Sequence, residues 1–210
     1  MEEQKKDWRE LYSNNFQMQK QLMANAKIPR RYQWADLLLD FPSIAENFDP
    51  DASYFIHGPV GGGKTYLMCA MVKAVILSRW YRREVVFVTA RNMLASIQRG
   101  FSSVRADYVK YLDDEDDLVG LAMADCLETH YAEAELLALD DLGTEHVTDW
   151  AEGTLREILN HRYNELLPTY ITSTHSLETL AEKSSQQLAS RIEGEYHIIK
   201  VCGTDRRTRS

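Results

Sequence analysis

The sequence predicts an α/β fold in which a five-stranded parallel sheet lies between helices. Three observations support this prediction. Short β-prone runs alternate with longer helical stretches over most of the 210 residues, which is the order that a parallel sheet requires. A glycine-rich loop follows the first strand, and two adjacent carboxylates follow the third. Both features therefore fall at the carboxyl edge of the sheet, where open α/β folds bind ligands.

Composition narrows the function classes. The apolar fraction of 44% supports a real core, and no run approaches the roughly 18 apolar residues that a membrane helix needs. The first residues lack the apolar stretch of a signal peptide, and the three cysteines have no metal-type spacing. We therefore expect a reduced, cytoplasmic protein with no membrane partner. The net charge of −8 argues against broad nucleic-acid binding by the isolated chain, but it allows a local or subunit-assembled basic surface.

Residues 4–26 form a predicted amphipathic helix, because aromatic and aliphatic residues recur there near helical spacing. We assign residues 1–27 to this N-terminal element and residues 28–210 to the main domain. Pro29 ends the helix, since proline restricts the residue before it and interrupts the hydrogen-bond ladder. Two interpretations stay open: the helix folds back on the core, or it docks a partner protein.

The glycine-rich loop runs from Gly58 to Thr65 and has the phosphate-loop pattern of glycine, four residues, Gly-Lys and then Ser or Thr. A β-prone run, residues 53–57, precedes it and an apolar helix, residues 66–80, follows, which disfavours a simple turn with a stray lysine. Glycines let N–H groups converge on phosphates, Lys64 would reach the β and γ phosphates, and the Thr65 hydroxyl would hold Mg²⁺. The predicted nucleotide-binding residues are Gly58, Pro59, Gly61, Gly62, Gly63, Lys64, Thr65 and Tyr66.

The segment after this helix allows several interpretations. Residues 84–89 are predicted to be a strand buried on both faces, and residues 92–98 the start of a helix. The basic and aromatic cluster at residues 79–83 either caps the helix C-terminus or contacts nucleic acid. Residues 101–131 are either a solvated helical excursion or a segment whose basic and aromatic part, 99–111, faces single-stranded nucleic acid.

Residues 136–141 are an apolar strand that ends in Asp140 and Asp141. Adjacent acids are common in turns, but downstream of a phosphate loop they indicate a metal and water site. Asp140 is placed to hold Mg²⁺, and Asp141 to orient or deprotonate the attacking water. The remaining predicted elements are a helix over 150–167, a strand over 169–173 with Thr174 at its tip, a helix over 177–188 capped by Ser176, and a strand over 195–201.

Together these motifs resemble those of AAA+ ATPases: the glycine-rich loop is similar to Walker A, residues 136–141 to Walker B and residues 172–174 to sensor 1. The branch that they resemble comprises the DnaC-type helicase loaders and the related IstB-type transposition helpers. The resemblance spans about residues 28–207. The stretches that point to this branch are Ile28-Pro29-Arg30-Arg31-Tyr32, Leu139-Asp140-Asp141-Leu142-Gly143, Ile171-Thr172-Ser173-Thr174 and Leu188-Ala189-Ser190-Arg191-Ile192.

The resemblance implies a P-loop NTPase that uses ATP and Mg²⁺ and hydrolyses ATP in an ATP-dependent oligomer. Its catalytic residues would be Lys64, Asp141, Thr174 and Arg191. Thr174 would read the γ-phosphate as sensor 1, and Arg191 would be the arginine finger that reaches the ATP of a neighbouring subunit. From the residues alone, the favoured interpretation of Arg191 is an exposed arginine at a helix end. Two features depart from the family: sensor 1 is usually asparagine, and the chain has no room for a full C-terminal lid domain.

The implied function is the loading of a replicative DNA helicase onto single-stranded DNA during replication initiation. Residues 4–26 would dock the helicase, because the larger N-terminal region of fuller-length relatives is reduced here to about 27 residues. Two alternatives stay open. An IstB-type transposition helper would use double-stranded DNA and a transposase, whereas an ATP-gated assembly adaptor would bind ATP with little turnover.

Overall fold

Five parallel strands form the centre of the fold. The computed structural model describes residues 23–24, 26–78, 84–108, 127–143, 148–183 and 186–203. The strands are β1 (Tyr54–His57), β2 (Val85–Thr89), β3 (Leu136–Leu142), β4 (Thr169–Ser173) and β5 (His197–Lys200). They pair in the order β2-β3-β4-β1-β5, and every neighbouring pair is parallel. The predicted α/β class is therefore confirmed.

Helices connect these strands and cover both faces of the sheet. In chain order they are a 3-10 helix (Arg30–Tyr32), α1 (Leu37–Asp40), α2 (Pro42–Ala45), α3 (Lys64–Ser78), α4 (Ala90–Tyr108), α5 (residues 127–133), α6 (Asp149–Asn164), α7 (Leu177–Lys183) and α8 (Gln186–Glu195). Ser176 caps α7 as predicted, since its hydroxyl accepts a hydrogen bond from the Thr179 N–H at 3.4 Å.

Alternating strand residues divide the core into two layers. Ile56, Ala138 and Tyr170 face a cluster that contains most of α3, a helix apolar on nearly every side. Phe55, Leu139 and their neighbours face the other cluster, formed with α4, α6 and α8. The central strands are thus buried on both faces, as parallel sheets usually are.

The order of the strands places the candidate site. β4 lies between β1 and β3, so its carboxyl end falls between the glycine-rich loop after β1 and the carboxylates at the end of β3. Thr174, which follows β4, therefore lies at the same edge as both motifs. Residues far apart in sequence meet here because all five strands point in one direction.

One strand differs from its prediction. The apolar run of β2 was expected to be buried on both faces, but β2 is an edge strand in which only Phe87 is buried. An uninterrupted apolar run shows that a strand packs under helices but does not show whether it has one neighbour or two. No helix in the described part of the chain is long and apolar enough to cross a membrane.

The end of the N-terminal element packs on the core. Met23 and Ala26 are each 5% exposed and belong, with Ile28, to the cluster around α3. Most of the predicted N-terminal helix, residues 4–22, lies outside the described residues, as do residues 79–83 and 109–111. The folded-back interpretation therefore applies at least to the last turn of this element.

Candidate functional site

A cleft of about 670 Å³ opens at the carboxyl edge of the sheet. It is lined by Arg31, Tyr32, Val60, Gly61, Gly63, Lys64, Thr65, Tyr66, Asp140, Asp141 and Thr174. This volume is in the range of small-molecule sites. Eight predicted site residues thus line one cavity, although they follow three different strands. They are Gly61, Gly63, Lys64, Thr65, Tyr66, Asp140, Asp141 and Thr174.

The glycine-rich loop reaches the cleft only because glycines occupy its special positions. A Cβ atom on Gly58 would lie 2.3 Å from the carbonyl oxygen of Val201, so no side chain fits there. Gly63 has a φ of +93°, in the region that favours glycine. α3 begins at the next residue, so its N-terminal N–H groups and partial positive charge lie at the cleft.

Lys64 lies at the junction of the loop and α3, where it is 5% exposed. Its Nζ donates hydrogen bonds to the carbonyl oxygens of Gly58, at 3.0 Å, and Pro59, at 2.8 Å. The ammonium group is therefore fixed against the wall of the cleft. It brings one buried positive charge to a site that also contains two carboxylates.

Asp140 is the buried carboxylate of the cleft, at 5% exposed. Its Oδ1 accepts hydrogen bonds from the hydroxyls of Thr172, at 2.6 Å, and Thr65, at 3.0 Å. Burial raises the pKa of Asp140, the Asp141 charge adds to the rise, and the two hydroxyls and Lys64 oppose it. A cation beside Asp140 would favour its charged form.

A β-bulge places the second carboxylate. Adjacent residues of a regular strand point to opposite faces, which would direct Asp141 away from the side that Asp140 faces. The register between β3 and β4 shifts between Leu139 and Leu142, and Asp141 has a φ of +58°. Both carboxylates therefore line the cleft. The Asp141 N–H, displaced from the regular ladder, donates to the Thr172 hydroxyl at 2.9 Å.

The oxygen atoms of Thr65 and Asp140 fit a Mg²⁺ ion shared with phosphates. Both are hard oxygen donors on neighbouring side chains, and Mg²⁺ is usually held by one or two such groups, waters and phosphate oxygens. Among the described residues, no group of three or more His, Cys, Asp or Glu side chains could hold a metal. The donor set therefore suits a metal that binds with a nucleotide.

Three residues that line the cleft were not predicted as site residues: Arg31, Tyr32 and Val60. The first two belong to the stretch that supported the resemblance, but nothing in their local pattern indicates that the 3-10 helix folds over the loop. Tyr66 was predicted and lines the cleft, yet its hydroxyl donates to Asp40 at 2.7 Å. Tyr66 thus links α1 to the loop helix at the rim.

Arg191 is not among the residues that line the cleft. It is half-buried within α8 instead of being exposed at a helix end, and its guanidinium lies 5.2 Å from the centre of the Tyr163 ring. Its buried Nη1 has no hydrogen-bond partner among the residues that the structure describes. Within one chain, therefore, Arg191 does not line the cleft that contains Lys64.

Comparison with known families gives a match over most of the chain. The family model described as "Type III restriction enzyme, res subunit" matches residues 13–189. The chain belongs to this family. This family match indicates a P-loop nucleotide-binding fold, which agrees with the glycine-rich loop and the cleft described above. The search of curated proteins found no match.

Solved structures of replication proteins share the fold. The DnaC helicase loader is 23% identical with a TM-score of 0.61, and the match covers 83% of this chain and 100% of that one. DnaI is 20% identical with a TM-score of 0.59, covering 85% and 94%. The initiator DnaA bound to AMPPCP and single-stranded DNA is 18% identical with a TM-score of 0.61, covering 84% of this chain and 51% of that chain. The AAA+ resemblance is therefore confirmed at the level of the fold.

Proposed function

We propose that this protein binds and hydrolyses ATP and loads a replicative DNA helicase onto single-stranded DNA during replication initiation. The observation that supports the ATPase most strongly is the convergence of Lys64, Thr65, Asp140, Asp141 and Thr174 on one cleft at the start of α3. In support of the loader role, the match to the DnaC helicase loader covers that whole chain.

ATP would bind with its phosphates along residues 58–65 and its nucleoside towards Arg31, Tyr32 and Val60. Lys64 would exchange its two carbonyl acceptors for phosphate oxygens. A bound Mg²⁺, with Thr65 and Asp140 as its protein ligands, would neutralise phosphate charge. Asp141 would orient and deprotonate the attacking water, and the Thr174 hydroxyl would contact the γ-phosphate.

Arg191 is proposed to act on the ATP of a neighbouring subunit. It lies away from the cleft of its own chain, and its buried Nη1 has no acceptor in the part of the chain that the structure describes. A phosphate oxygen presented by a second copy would supply that acceptor and share its negative charge with the guanidinium. Hydrolysis would then depend on ATP-dependent assembly, which couples turnover to the grip on DNA.

The remaining partners follow from the proposed domain organisation. Residues 4–26 would dock the helicase, and burial of Met23 and Ala26 would attach that element firmly to the ATPase core. Basic and aromatic residues in 99–111, which begin within α4, would contact single-stranded DNA in the assembled oligomer.

The test is ATP turnover by the purified protein, alone, with single-stranded DNA and with a replicative helicase. The variant is Arg191→Ala, and the matched control is Arg156→Ala, which removes another half-buried arginine, from α6. We expect DNA or helicase to stimulate turnover in the wild type and the control but not in Arg191→Ala. Stimulation that persists in Arg191→Ala would contradict the trans-acting role.

An ATP-gated adaptor is favoured by one observation, the threonine at position 174 where sensor 1 is usually asparagine. Asp141→Asn separates the two functions, because asparagine keeps the size of the side chain and tolerates a positive φ. A loader that needs turnover should lose helicase loading with this variant. Full loading activity without turnover would identify the protein as an adaptor.

A further inference from the structure

Thr172 contacts both carboxylate residues of the cleft without lining the cleft itself. It lies in β4 and is fully buried. Its hydroxyl donates a 2.6 Å hydrogen bond to Asp140 Oδ1 and accepts a 2.9 Å hydrogen bond from the Asp141 N–H. One side chain therefore fixes the carboxylate of the first acid and the backbone of the second.

We propose that Thr172 is a positioning residue that sets both acids for Mg²⁺-dependent nucleotide chemistry, an inference that rests on the function proposed above. The bulge removes the Asp141 N–H from the regular ladder, so that this group needs an acceptor from elsewhere. The Thr172 oxygen is that acceptor. By holding this N–H, Thr172 stabilises the backbone turn that directs Asp141 into the cleft.

The same hydroxyl orients Asp140. Thr65 also donates to Asp140, at 3.0 Å, but the Thr65 hydroxyl is a proposed ligand of Mg²⁺ and would turn to the ion. Thr172 has no such second task, because it lies behind the carboxylate on β4. It therefore keeps Oδ1 fixed whether or not the nucleotide is bound, which is how residues behind a metal ligand tune affinity and activity.

Threonine suits this position for two physical reasons. A β-branched side chain is restricted at χ1, so the direction of its hydroxyl is well defined, and it packs well in a central strand. The next residue, Ser173, faces the other side of the sheet and donates to the Leu142 carbonyl at 2.8 Å.

The test compares Thr172→Val, which keeps the shape and removes the hydroxyl, with Thr172→Ser, which keeps the hydroxyl. Ser96→Ala is the control, because it removes a half-buried hydroxyl from α4, where Ser96 bonds the Met93 carbonyl and the Tyr131 hydroxyl. Three quantities are measured for each: ATP affinity in Mg²⁺, ATP affinity in EDTA, and kcat. Thermal melting without ligand shows whether each variant is folded.

For Thr172→Val we expect ATP affinity in EDTA within about twofold of the wild type, since the loop is intact, and a loss of roughly 10–100-fold in Mg²⁺-dependent affinity or in kcat. Thr172→Ser and Ser96→Ala should keep both quantities within about threefold. A folded Thr172→Val variant with wild-type Mg²⁺ dependence and kcat would refute the proposal. So would a wild-type ATP affinity that is the same with and without Mg²⁺.

The outcomes separate this proposal from the proposed function. If the wild type shows no turnover under any condition, the ATPase proposal fails, and the Mg²⁺ dependence of ATP affinity still tests Thr172. If Thr172→Val does not fold, Thr172→Cys replaces it, because a thiol fills similar space and is a much weaker hydrogen-bond donor. The same loss of Mg²⁺-dependent affinity is then expected, and its absence would overturn the inference.

Discussion

Arg162 is a buried arginine whose replacement should lower the stability of the fold strongly. It is 0% exposed, and its guanidinium donates to five acceptors at the amino edge of the sheet, with one Nη1 hydrogen shared between two carbonyl oxygens. The acceptors are the Thr169 hydroxyl at 2.9 Å and the carbonyl oxygens of Pro168 at 2.8 Å, Tyr131 at 3.1 Å, Ala132 at 3.1 Å and Ala134 at 2.6 Å. Arg162 thereby joins the end of α5, the start of β4 and the segment before β3, and it supplies positive charge at the C-terminus of α5.

The loss of stability can be worked out from the carbonyl groups that lose their donor when Arg162 is replaced by methionine. Arg162→Met keeps much of the volume but leaves the last carbonyl groups of α5 without their donor in a buried place. Each unsatisfied buried group costs about 1–3 kcal/mol, and some will gain water after relaxation. We therefore expect a loss of about 3–5 kcal/mol, a large part of the roughly 5–15 kcal/mol by which domains are stable. The melting temperature should fall by roughly 10 °C.

Thermal and urea unfolding of Arg162→Met, Arg162→Lys and a control measure this effect. The control is Arg99→Met, since Arg99 is an exposed arginine that, among the described residues, donates to a single carbonyl, that of Ala95, at 3.0 Å. The control should lose less than about 0.5 kcal/mol. Lysine should recover only part of the loss, because an ammonium cannot reproduce the planar fork. Burial lowers the pKa of Arg162 to about 10, so the group stays charged at neutral pH. A loss below about 1 kcal/mol in Arg162→Met would refute the argument.

Four further predictions concern ligand binding and stability. Gly58→Ala should weaken ATP binding at least about tenfold, because its Cβ would lie 2.3 Å from the Val201 carbonyl oxygen. The control, Gly153→Ala, has open space around it in α6, so ATP binding should not change and stability should rise by roughly 0.5–1 kcal/mol. Thr148→Ala should cost about 1 kcal/mol in urea unfolding, because the Thr148 hydroxyl caps α6 through the Ala151 N–H at 3.1 Å. Asp140→Asn should raise the apo melting temperature at neutral pH, because burial raises the pKa of Asp140 and thus penalises its charge, and should abolish the effect of Mg²⁺ on ATP binding. Burial, and to a smaller extent the charge of Lys200, lower the pKa of His57 in the folded chain. The unfolded chain therefore binds a proton at a higher pH than the folded chain does, so stability should fall as pH drops through about 6.5. The fall should be smaller in His57→Gln.

The sequence predicted the elements and the cleft because both depend on local signals. Glycine spacing and the Gly-Lys-Thr triplet define the loop, and carboxylates after a buried strand define the opposite side of the cleft. The boundaries were less well predicted. Leu166, for example, has the apolar character of the α6 core face, but α6 ends at Asn164 and Leu166 is 78% exposed with a φ of +53°. The chain reverses there before Pro168, and an apolar side chain does not reveal that reversal.

What the sequence could not predict are the contacts that depend on register. Arg162 has the pattern of a polar residue in the last turn of an amphipathic helix, yet it is fully buried because three chain segments turn their carbonyl groups towards it. The bulge at Asp141 and the role of Thr172 depend on how β3 aligns with β4, and no local pattern encodes that alignment. Tertiary contacts decide both cases, so composition and periodicity carry no signal for them.

The two edges of the sheet use buried polar groups in opposite ways. At the amino edge the donors of Arg162 meet acceptors, and the arrangement serves to join chain segments. At the carboxyl edge Lys64 is bound to carbonyl groups of its own loop, and the charged form of Asp140 is disfavoured by burial. A phosphate and a cation would stabilise both charged groups further, so the proposed ligands would supply partners that the folded chain alone does not provide. Perturbed and partly compensated charges are more frequent at functional sites than elsewhere, and on that physical ground the cleft at the carboxyl edge, not the Arg162 network, is the candidate functional site of this chain.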